Sequence, residues 1–262
     1  MAFSKGMNRS GRLRVEVVVP VYNEERDLPR SLSRLQAFLQ ENCDYDWQIT
    51  IADNASTDGT PEVGQELATR HERVRYVRLP LKGRGRALRH VWLASEADIV
   101  SYMDVDLATD LSCFLPLLER LVRGEAEIAI GSRYQRGARV TRGWKRELFS
   151  RGYMLLLKMF FGCSFSDAQC GFKAATRRAV QTLVPLVENQ GWFFDAELLL
   201  LAEHYGFTIA EVPVIWTDDP DSRVKMVPTI SEHFIGLLRM RLAFSTGFAA
   251  VPAANPVSEV YA

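Results

Sequence analysis

The sequence predicts an α/β protein with a mostly parallel central sheet that is covered by helices on both faces. Short apolar segments typical of buried strands alternate along the chain with segments whose apolar residues recur at helical spacing. Polar residues that are suited to chemistry follow directly after several of the apolar segments. They are therefore expected at the edge of the sheet where open α/β sheets bind their ligands.

The alternation begins after a polar start to the chain. Val15 to Val21 is a continuous apolar run that predicts a buried strand, and the leucines from Leu28 to Leu39 recur at the spacing of a helix. The order of strand and helix then repeats. The further predicted strands are Trp47 to Ala52, Val74 to Arg78, Asp98 to Met103 and Glu127 to Ile130, and the further predicted helices open at Thr60 and at about Arg86.

The last third of the chain predicts a mixture of elements. They are a helix from about Trp144 to Phe161, a short segment around Cys170 to Ala174, a helix from Phe194 to Tyr205, a strand from Thr208 to Trp216 and a helix from about Pro228 to Phe244. No linker interrupts residues 1–245, which predicts a single domain. Residues 246–262 are rich in Ala and Pro and lack periodicity, so we expect a disordered tail.

Charge and cysteine content exclude some classes of function. The 262 residues carry 32 basic and 32 acidic side chains, so the chain has no overall field that would favour nucleic acid. The four cysteines lack the CxxC spacing of a zinc site, which favours a reducing, cytoplasmic setting. The basic segment from Arg133 to Lys158 suits phosphates or an anionic membrane surface, although a solvated basic face is an open alternative.

Two carboxylates separated by one residue, Asp104 and Asp106, follow the predicted strand that ends at Met103. If the chain turns there, both face a cation such as Mg²⁺ or Mn²⁺, which binds a few carboxylates together with substrate phosphate oxygens. Such a pair is common in loops, so a structural role stays open. Asp53 follows the second strand, and the three acids are expected to converge on one edge of the sheet.

Eight segments extend this pattern over roughly residues 15 to 240. They are VVVPVYNEE (17–25), IADNASTDGT (51–60), LKGRGRALR (81–89), MDVD (103–106), IGSRY (130–134), DAQCGFKAATR (167–177), WFFDAELL (192–199) and EVPVIWTDDPDSRV (211–224). In this order they resemble family 2 glycosyltransferases of the GT-A fold, in the branch of dolichyl-phosphate mannose and glucose synthases and bacterial polyprenyl-phosphate glycosyltransferases. The resemblance implies that a hexose is transferred with inversion from UDP-hexose or GDP-mannose to a polyprenyl phosphate, with Mg²⁺ or Mn²⁺ as cofactor.

The resemblance also implies roles for single residues. Those implied for the donor are Pro20, Tyr22, Glu24, Asp53 and Arg84, with Asp104 and Asp106 as the metal and diphosphate motif. Those implied for phosphate, sugar or acceptor are Arg133, Arg146, Ser150, Asp167, Gln169 and Arg223. Arg146 and Ser150 share one face of the predicted helix and are expected to meet the acceptor phosphate. Asp167 is expected to be catalytic or to orient the sugar, and Arg223 belongs to a loop expected to close over the diphosphate.

Two features bear on cofactor and membrane. Ala108 stands where many mannose synthases carry a polar residue, so metal binding is expected either to be weaker or to use more water. No segment reaches the roughly 18 to 20 apolar residues that span a bilayer, so we expect a peripheral contact at the cytoplasmic face of a membrane, either directly or through a separate membrane protein. The predicted contact is an apolar stripe on the helix from Trp144, made of Phe149, Tyr153, Leu156, Leu157 and Phe160, and packing of this stripe on the protein core is the open alternative.

Three alternatives compete with transfer to a lipid. The same donor chemistry fits a glycan or a small soluble acceptor, and a catalytically inactive sugar-nucleotide-binding subunit is a second possibility. A dinucleotide-dependent oxidoreductase is disfavoured, because the residues that follow the first strand contain no glycine-rich turn.

Overall fold

A computed structural model describes residues 12–218 and 226–246, with side chains from residue 231 onward in the second range. The strands are β1 (Arg14–Val21), β2 (Asp46–Asp53), β3 (Val74–Arg78), β4 (Ile99–Met103), β5 (Ile128–Ser132), β6 (Arg139–Thr141), β7 (Phe172–Thr176), β8 (Ile209–Pro213) and β9 (Ile215–Thr217). The helices are α1 (Leu28–Asn42), α2 (Thr60–Arg70), α3 (Arg84–Ala94), α4 (Phe114–Val122), α5 (Trp144–Phe161), α6 (Arg177–Leu183), α7 (Phe194–His204) and α8 (Met226–Thr246).

Seven of the strands form the central sheet, in the order β3-β2-β1-β4-β7-β5-β8. All neighbours are parallel except β7, which runs antiparallel to both β4 and β5. The predicted fold class, a mostly parallel sheet with helices on both faces, is confirmed.

Burial on both faces explains why the first strand is a continuous apolar run. Val17 and Val19 pack in a core that contains Leu32 of α1 and Phe114 of α4, whereas Val18 packs in a core that contains Trp92 of α3. Successive side chains of a strand point to opposite faces, so a strand covered on both sides carries apolar residues at every position.

The chain reverses its direction of growth across the sheet between β1 and β4. From β1 it proceeds outward through β2 and β3, then returns to add β4 on the other side of β1. The carboxyl ends of β1 and β4 therefore lie on either side of a topological switch point, which is where sheets of this type bind ligands.

The antiparallel strand β7 brings a second set of residues to the same edge. Met103 at the end of β4 pairs with Phe172 at the start of β7. Residues that precede β7, such as Asp167 and Gln169, consequently lie beside residues that follow β4. The short segment expected around Cys170 to Ala174 corresponds to this strand.

The expected strand from Thr208 to Trp216 is divided into β8 and β9. β8 ends the central sheet at Pro213, which lacks the N–H needed to continue a ladder. β9 then pairs in parallel with β6 to form a separate two-stranded sheet. The elements α4, β6 and α6 were absent from the sequence prediction.

The predicted apolar stripe on α5 is wrong in part. The helix has the expected bounds, but Tyr153 and Leu157 are buried in the core instead of facing outward. The large apolar side chains that α5 does expose are Trp144, Leu148, Phe149, Leu155, Leu156 and Met159. Within residues 12–218 and 226–246, no helix combines the length and apolar character needed to cross a bilayer.

Candidate active site

Strained backbone marks the carboxyl-terminal edge of the sheet. Asn23 after β1, Ala55 after β2 and Leu107 after β4 have φ angles of 59°, 60° and 48°. They are the only non-glycine residues with positive φ in the part of the chain that the structure describes. Left-handed backbone costs a residue with a Cβ about 1–2 kcal/mol, and residues of this kind cluster at functional sites.

Asp53 lies at the end of β2 with its carboxylate fully buried. It accepts hydrogen bonds from the Ser56 backbone N–H at 2.8 Å and from the Tyr76 hydroxyl at 2.6 Å, and the Arg78 Nε lies 3.9 Å away. Burial and the neighbouring Asp53 carboxylate raise the pKa of Tyr76, so its hydroxyl stays protonated and donates. Asp53 is therefore held rigidly at the β2 end of the site.

The other residues predicted to bind the nucleotide flank the end of β1. Pro20 is buried within the strand, where it pairs with Ala52. Tyr22 lies partly exposed after it, with the Lys82 ammonium 3.6 Å from its ring centroid. The backbone N–H of Glu24 donates to the Thr60 hydroxyl at 2.7 Å, which joins the turn after β1 to the start of α2.

Asp104 at the end of β4 is paired with Arg84 from the start of α3. One carboxylate oxygen, Oδ1, accepts from the Arg84 guanidinium at 3.0 Å. The other, Oδ2, lies against Gly171, where a Cβ built on the glycine would be only 1.7 Å from the oxygen. The Asp104 backbone N–H also donates to the Gly171 carbonyl at 3.1 Å. The structure thus places Asp104 and Arg84 together and requires a residue without a side chain at position 171.

A buried cluster of charges supports Arg84. Its guanidinium also donates to Asp195 at 2.6 Å and to the Tyr102 hydroxyl at 3.1 Å. Lys173, fully buried on β7, reaches the same two residues, with its ammonium 3.2 Å from Asp195 and 3.3 Å from the Tyr102 hydroxyl. The two cations balance the Asp104 and Asp195 carboxylates, which is how buried charges are tolerated.

Asp106 follows in the turn after β4. Its Oδ1 accepts from the Ala108 backbone N–H at 3.0 Å, and the left-handed Leu107 lies between them. Asp104 and Asp106 both line a small cavity with Gly171 and Trp216. The two carboxylates therefore border one opening at the switch point.

Arg133, directly after β5, forms a bidentate ion pair with Asp167. Its Nε and a terminal nitrogen donate to the two carboxylate oxygens at 2.7 and 2.8 Å, and its backbone N–H donates at 3.1 Å. The backbone N–H groups of Gln169 and Cys170 donate to Asp167 as well. Burial alone would raise the pKa of Asp167, but the Arg133 guanidinium outweighs it and the pKa is lowered.

The acceptor residues predicted on α5 have partners within the protein. The Ser150 hydroxyl donates to the Gln169 side-chain oxygen at 3.0 Å, which brings together two of the predicted residues. Arg146, one turn earlier on the helix, forms an ion pair with Asp218. Ser150 is buried and Arg146 is part-exposed, so the two do not present equivalent groups to one ligand. Arg223 lies outside the described residues.

The family model described as "Glycosyl transferase family 2" matches residues 16–184, which is more than half of the chain. The chain belongs to glycosyltransferase family 2. The matched range runs from within β1 to beyond β7 and therefore includes both the acidic pair and the Arg133–Asp167 pair.

Curated relatives agree with this family. The chain is 36% identical over 221 residues to glycosyltransferase AglD of Haloferax volcanii, in an alignment covering 82% of this chain and 35% of that protein. It is 32% identical to dolichyl-phosphate beta-glucosyltransferase ALG5C of Trichomonas vaginalis, covering 92% of this chain and 75% of the relative. It is also 32% identical to the dolichyl-phosphate beta-glucosyltransferase of Drosophila melanogaster, covering 82% and 70%. The predicted class of enzyme, a hexosyltransferase of family 2, is confirmed, and the chain spans about a third of AglD.

Solved structures agree with the GT-A fold. The glucosyl-3-phosphoglycerate synthase of Mycobacterium tuberculosis, crystallised with Mn²⁺, UDP and glucosyl-3-phosphoglycerate, superimposes with a TM-score of 0.62 at 23% identity, covering 88% of this chain and 80% of that one. Its complex with Mn²⁺ and UDP-glucose has a TM-score of 0.61 at 22% identity, covering 88% and 79%. At these identities the likeness concerns the fold alone.

The residues at the switch point fit the divalent cation expected for a GT-A enzyme. No group of three or more His, Cys, Asp or Glu side chains in the described ranges is placed to hold a metal ion. Asp104 and Asp106 nevertheless border one opening, and Mg²⁺ is commonly held by one or two carboxylates together with waters and substrate phosphates. The donor set present here is of that kind.

Three polar residues that pack around the acidic groups were not among the predicted site residues. Tyr76 and Tyr102 lie within predicted strands and Lys173 within the short segment predicted around Cys170 to Ala174, where a polar side chain has no periodic signal to mark it. Lys173 was the one with a usable signal, since a lysine in a fully buried strand requires a paired anion. Arg142 lies between β6 and α5, and Trp216 lies on β9. Their proximity depends on the pairing of β6 with β9, which residue spacing does not reveal.

Proposed function

We propose that this protein transfers a hexose, specifically glucose, from a nucleotide sugar to a polyprenyl phosphate. The transfer inverts the configuration of the anomeric carbon and uses a divalent cation as cofactor. The order of groups along the sheet edge carries the proposal. Asp53 lies at β2, the carboxylate pair Asp104 and Asp106 at β4, and Arg133 at β5. A nucleoside, a diphosphate with its cation and an anionic acceptor would meet these groups in that order.

Relatives guide the choice of sugar and acceptor. Those from Trichomonas vaginalis and Drosophila melanogaster are dolichyl-phosphate beta-glucosyltransferases, which supports glucose as the sugar and a polyprenyl phosphate as the acceptor. A lipid phosphate is already ionised near neutral pH, so its oxygen attacks the anomeric carbon without losing a proton, and the bond from that carbon to the diphosphate breaks. A general base is not required for this step.

The residues of the site have separate tasks in this reaction. Asp104 and Asp106 would hold the cation, which, when bound, neutralises charge on the departing diphosphate. Arg84 fixes the Asp104 carboxylate, and the buried cluster around Lys173 fixes Arg84. Asp167 has its oxygens engaged by Arg133 and by backbone amides, so we assign it the task of orienting Arg133 instead of contacting the sugar.

The outer faces of α5 and α8 support an acceptor that lies in a membrane. The two helices are in contact, with the rings of Tyr153 and His233 stacked at 4.6 Å. Their exposed apolar side chains, here called the apolar face, are Trp144, Leu148, Phe149, Leu155, Leu156 and Met159 of α5 and Phe234, Ile235, Leu238 and Leu242 of α8. Exposed basic residues on the same helices, Lys145, Arg151, Lys158 and Arg241, suit anionic headgroups.

Liposome flotation tests this membrane contact. The parent protein should float with vesicles that contain anionic lipid, and flotation should weaken as salt is raised, because basic residues near such a surface contribute about 1 kcal/mol each. Leu155→Asp with Met159→Asp should remain folded and stay at the bottom of the gradient. Leu93→Asp, an exposed leucine on α3, is the matched control and should float like the parent. A double variant that floats equally well places the contact elsewhere, for example on a membrane-protein partner.

A transfer assay tests the function itself. Purified protein is incubated with labelled UDP- and GDP-sugars, Mg²⁺ or Mn²⁺ and a polyprenyl phosphate, and label is measured in the organic phase. Label from UDP-glucose should enter that phase, and EDTA should prevent it. Label that appears only in water-soluble products, with a phosphorylated acceptor such as phosphoglycerate supplied in parallel, would replace the lipid acceptor by a soluble one.

A further inference from the structure

Arg142 is a largely buried guanidinium with few partners. Its side chain is 11% exposed, and the Nε and one terminal nitrogen are buried without a hydrogen bond. Its ion-pair partner, the Glu147 carboxylate, lies 3.5 Å away without a hydrogen bond to Arg142, and the other oxygen of that carboxylate accepts from Arg151 at 2.5 Å. A buried cation in this position costs free energy unless an anion compensates for it.

The surroundings of Arg142 add to its excess of positive charge. Burial and the neighbouring Arg133 lower the pKa of Arg142. Helix α5 begins two residues later, and its N-cap, Gly143, has no side chain to accept from the first-turn amides. Amides at a helix N-terminus favour anions.

Trp216 places Arg142 at the site. The guanidinium carbons of Arg142 and Arg133 each lie 5.4 Å from the centroid of the Trp216 ring. Trp216 is held there by the pairing of β6 with β9 and by a bridge to Thr109, and it lines the cavity that contains Asp104. Both cations lie against this ring. Arg133 is neutralised by a close ion pair with Asp167 at 2.7 Å, whereas the nearest ion-pair distance of Arg142, to Glu147, is 3.5 Å.

The position of Arg142 distinguishes the acceptor from the donor. Two residues predicted for the nucleoside, Asp53 at the end of β2 and Tyr22 directly after β1, lie on one side of β4. Arg133 follows β5, on the other side of β4, and Arg142 shares the Trp216 ring with it. An anion at Arg142 therefore lies across the acidic pair from the nucleoside, where an attacking phosphate would approach.

We propose that Arg142, on the Trp216 ring beside Arg133, binds the phosphate of the acceptor. This inference rests on the proposed function for the identity of the acceptor. A phosphoryl group at Arg142 could belong either to the lipid phosphate or to the donor diphosphate. We assign it to the lipid phosphate. Arg146 is less suited to this task because Asp218 already neutralises it.

Calorimetric binding of two probes tests the assignment. Farnesyl phosphate, a short water-soluble polyprenyl phosphate, represents the acceptor, and UDP with Mn²⁺ represents the donor. Arg142→Ala should weaken farnesyl phosphate binding about 10- to 100-fold, the effect of losing a charge-assisted contact, and should leave UDP binding within about twofold. Arg142→Lys should recover part of the affinity, since it restores the charge without the guanidinium geometry.

A matched control and a stability measurement separate binding from folding. Arg139→Ala removes the same charge from an exposed position three residues earlier on β6 and should leave both affinities unchanged. Thermal unfolding of Arg142→Ala should occur at the same temperature as the parent or higher, because an under-paired buried cation is removed. A guanidinium needed only for structure would instead lower that temperature.

The outcomes that overturn the inference are distinct from those that overturn the function. Equal loss of UDP affinity in Arg142→Ala would move the anion to the donor diphosphate, and unchanged farnesyl phosphate affinity would remove Arg142 from anion binding altogether. A parent protein that binds farnesyl phosphate through Arg142 but transfers no sugar to a polyprenyl phosphate would overturn the proposed function while leaving this inference intact.

Discussion

Replacement of Asp167 by asparagine should reveal how much of the site's stability depends on one buried ion pair. The carboxylate is fully buried and accepts five hydrogen bonds, three from Arg133 and one each from the backbone of Gln169 and Cys170. Asparagine keeps the volume but offers one acceptor oxygen and turns an NH₂ group toward the donors of Arg133. The guanidinium, itself buried, is left without a counter-charge.

Breaking a buried ion pair by removing one partner costs about 3–5 kcal/mol. This is a large share of the roughly 5–15 kcal/mol by which a folded domain exceeds its unfolded state. With a urea m-value of about 2–3 kcal/mol/M, the unfolding midpoint of Asp167→Asn should fall by about 1–2.5 M. Urea titrations followed by tryptophan fluorescence and by circular dichroism measure this shift.

The exposed pair of Glu119 on α4 and Arg123 at its C-terminal cap provides the control. Its atoms are 2.8 Å apart, but both side chains are solvated, and such a pair is worth about 0.5 kcal/mol or less. Glu119→Gln should therefore leave the midpoint almost unchanged. An Asp167→Asn variant that loses under about 1 kcal/mol, yet is inactive with normal acceptor binding, would refute the ion-pair reasoning and return Asp167 to a direct role in catalysis.

Three further predictions address the acidic groups of the site. Asp106→Asn should lower turnover at least about 100-fold and weaken Mn²⁺ binding measured by electron paramagnetic resonance with the fold intact, since several kcal/mol of charge stabilisation is lost; near-normal turnover at saturating metal would exclude it as a ligand. Gly171→Ala should disturb UDP–Mn²⁺ binding, because its Cβ would lie 1.7 Å from Asp104 Oδ2, whereas Gly152→Ala, with open space around it, should bind normally. The pKa values of Asp167 and Asp195 are both lowered, so the stability they contribute is present above the unfolded-state pKa and is lost below about pH 4; acid titration followed by circular dichroism should show this loss, and a flat profile to pH 2 would contradict it.

The alternation of strands and helices was predictable because it depends on local pattern. A buried strand needs an apolar run, and a helix covering it needs apolar residues on one face, as in Val15–Val21 and the leucines of α1. The acids after β1, β2 and β4 were predictable for the same reason, because parallel strands bring their carboxyl ends to one edge. The sequence resemblance added the family and the chemistry of its substrates.

Pairing between distant segments was not predictable from local pattern. The direction of β7 decides that Asp167 and Gln169 join the acidic pair, and the pairing of β6 with β9 decides that Arg142 meets Trp216. The core-facing side of α5 likewise depends on contacts with α8 and the sheet, since Tyr153 and Leu155 are both compatible with an apolar helix face.

The sequence by itself determined the fold class, the family and the edge of the sheet where the chemistry lies. Only the tertiary structure decided which charges are already paired. Asp167 is neutralised by Arg133, and Asp104 by Arg84, whereas Arg142 is buried without an equivalent partner. Charged side chains that are 20 to 111 residues apart in the sequence meet through the packing of whole elements. The cost of an unpaired buried charge depends on that packing and not on the residue's neighbours in the chain.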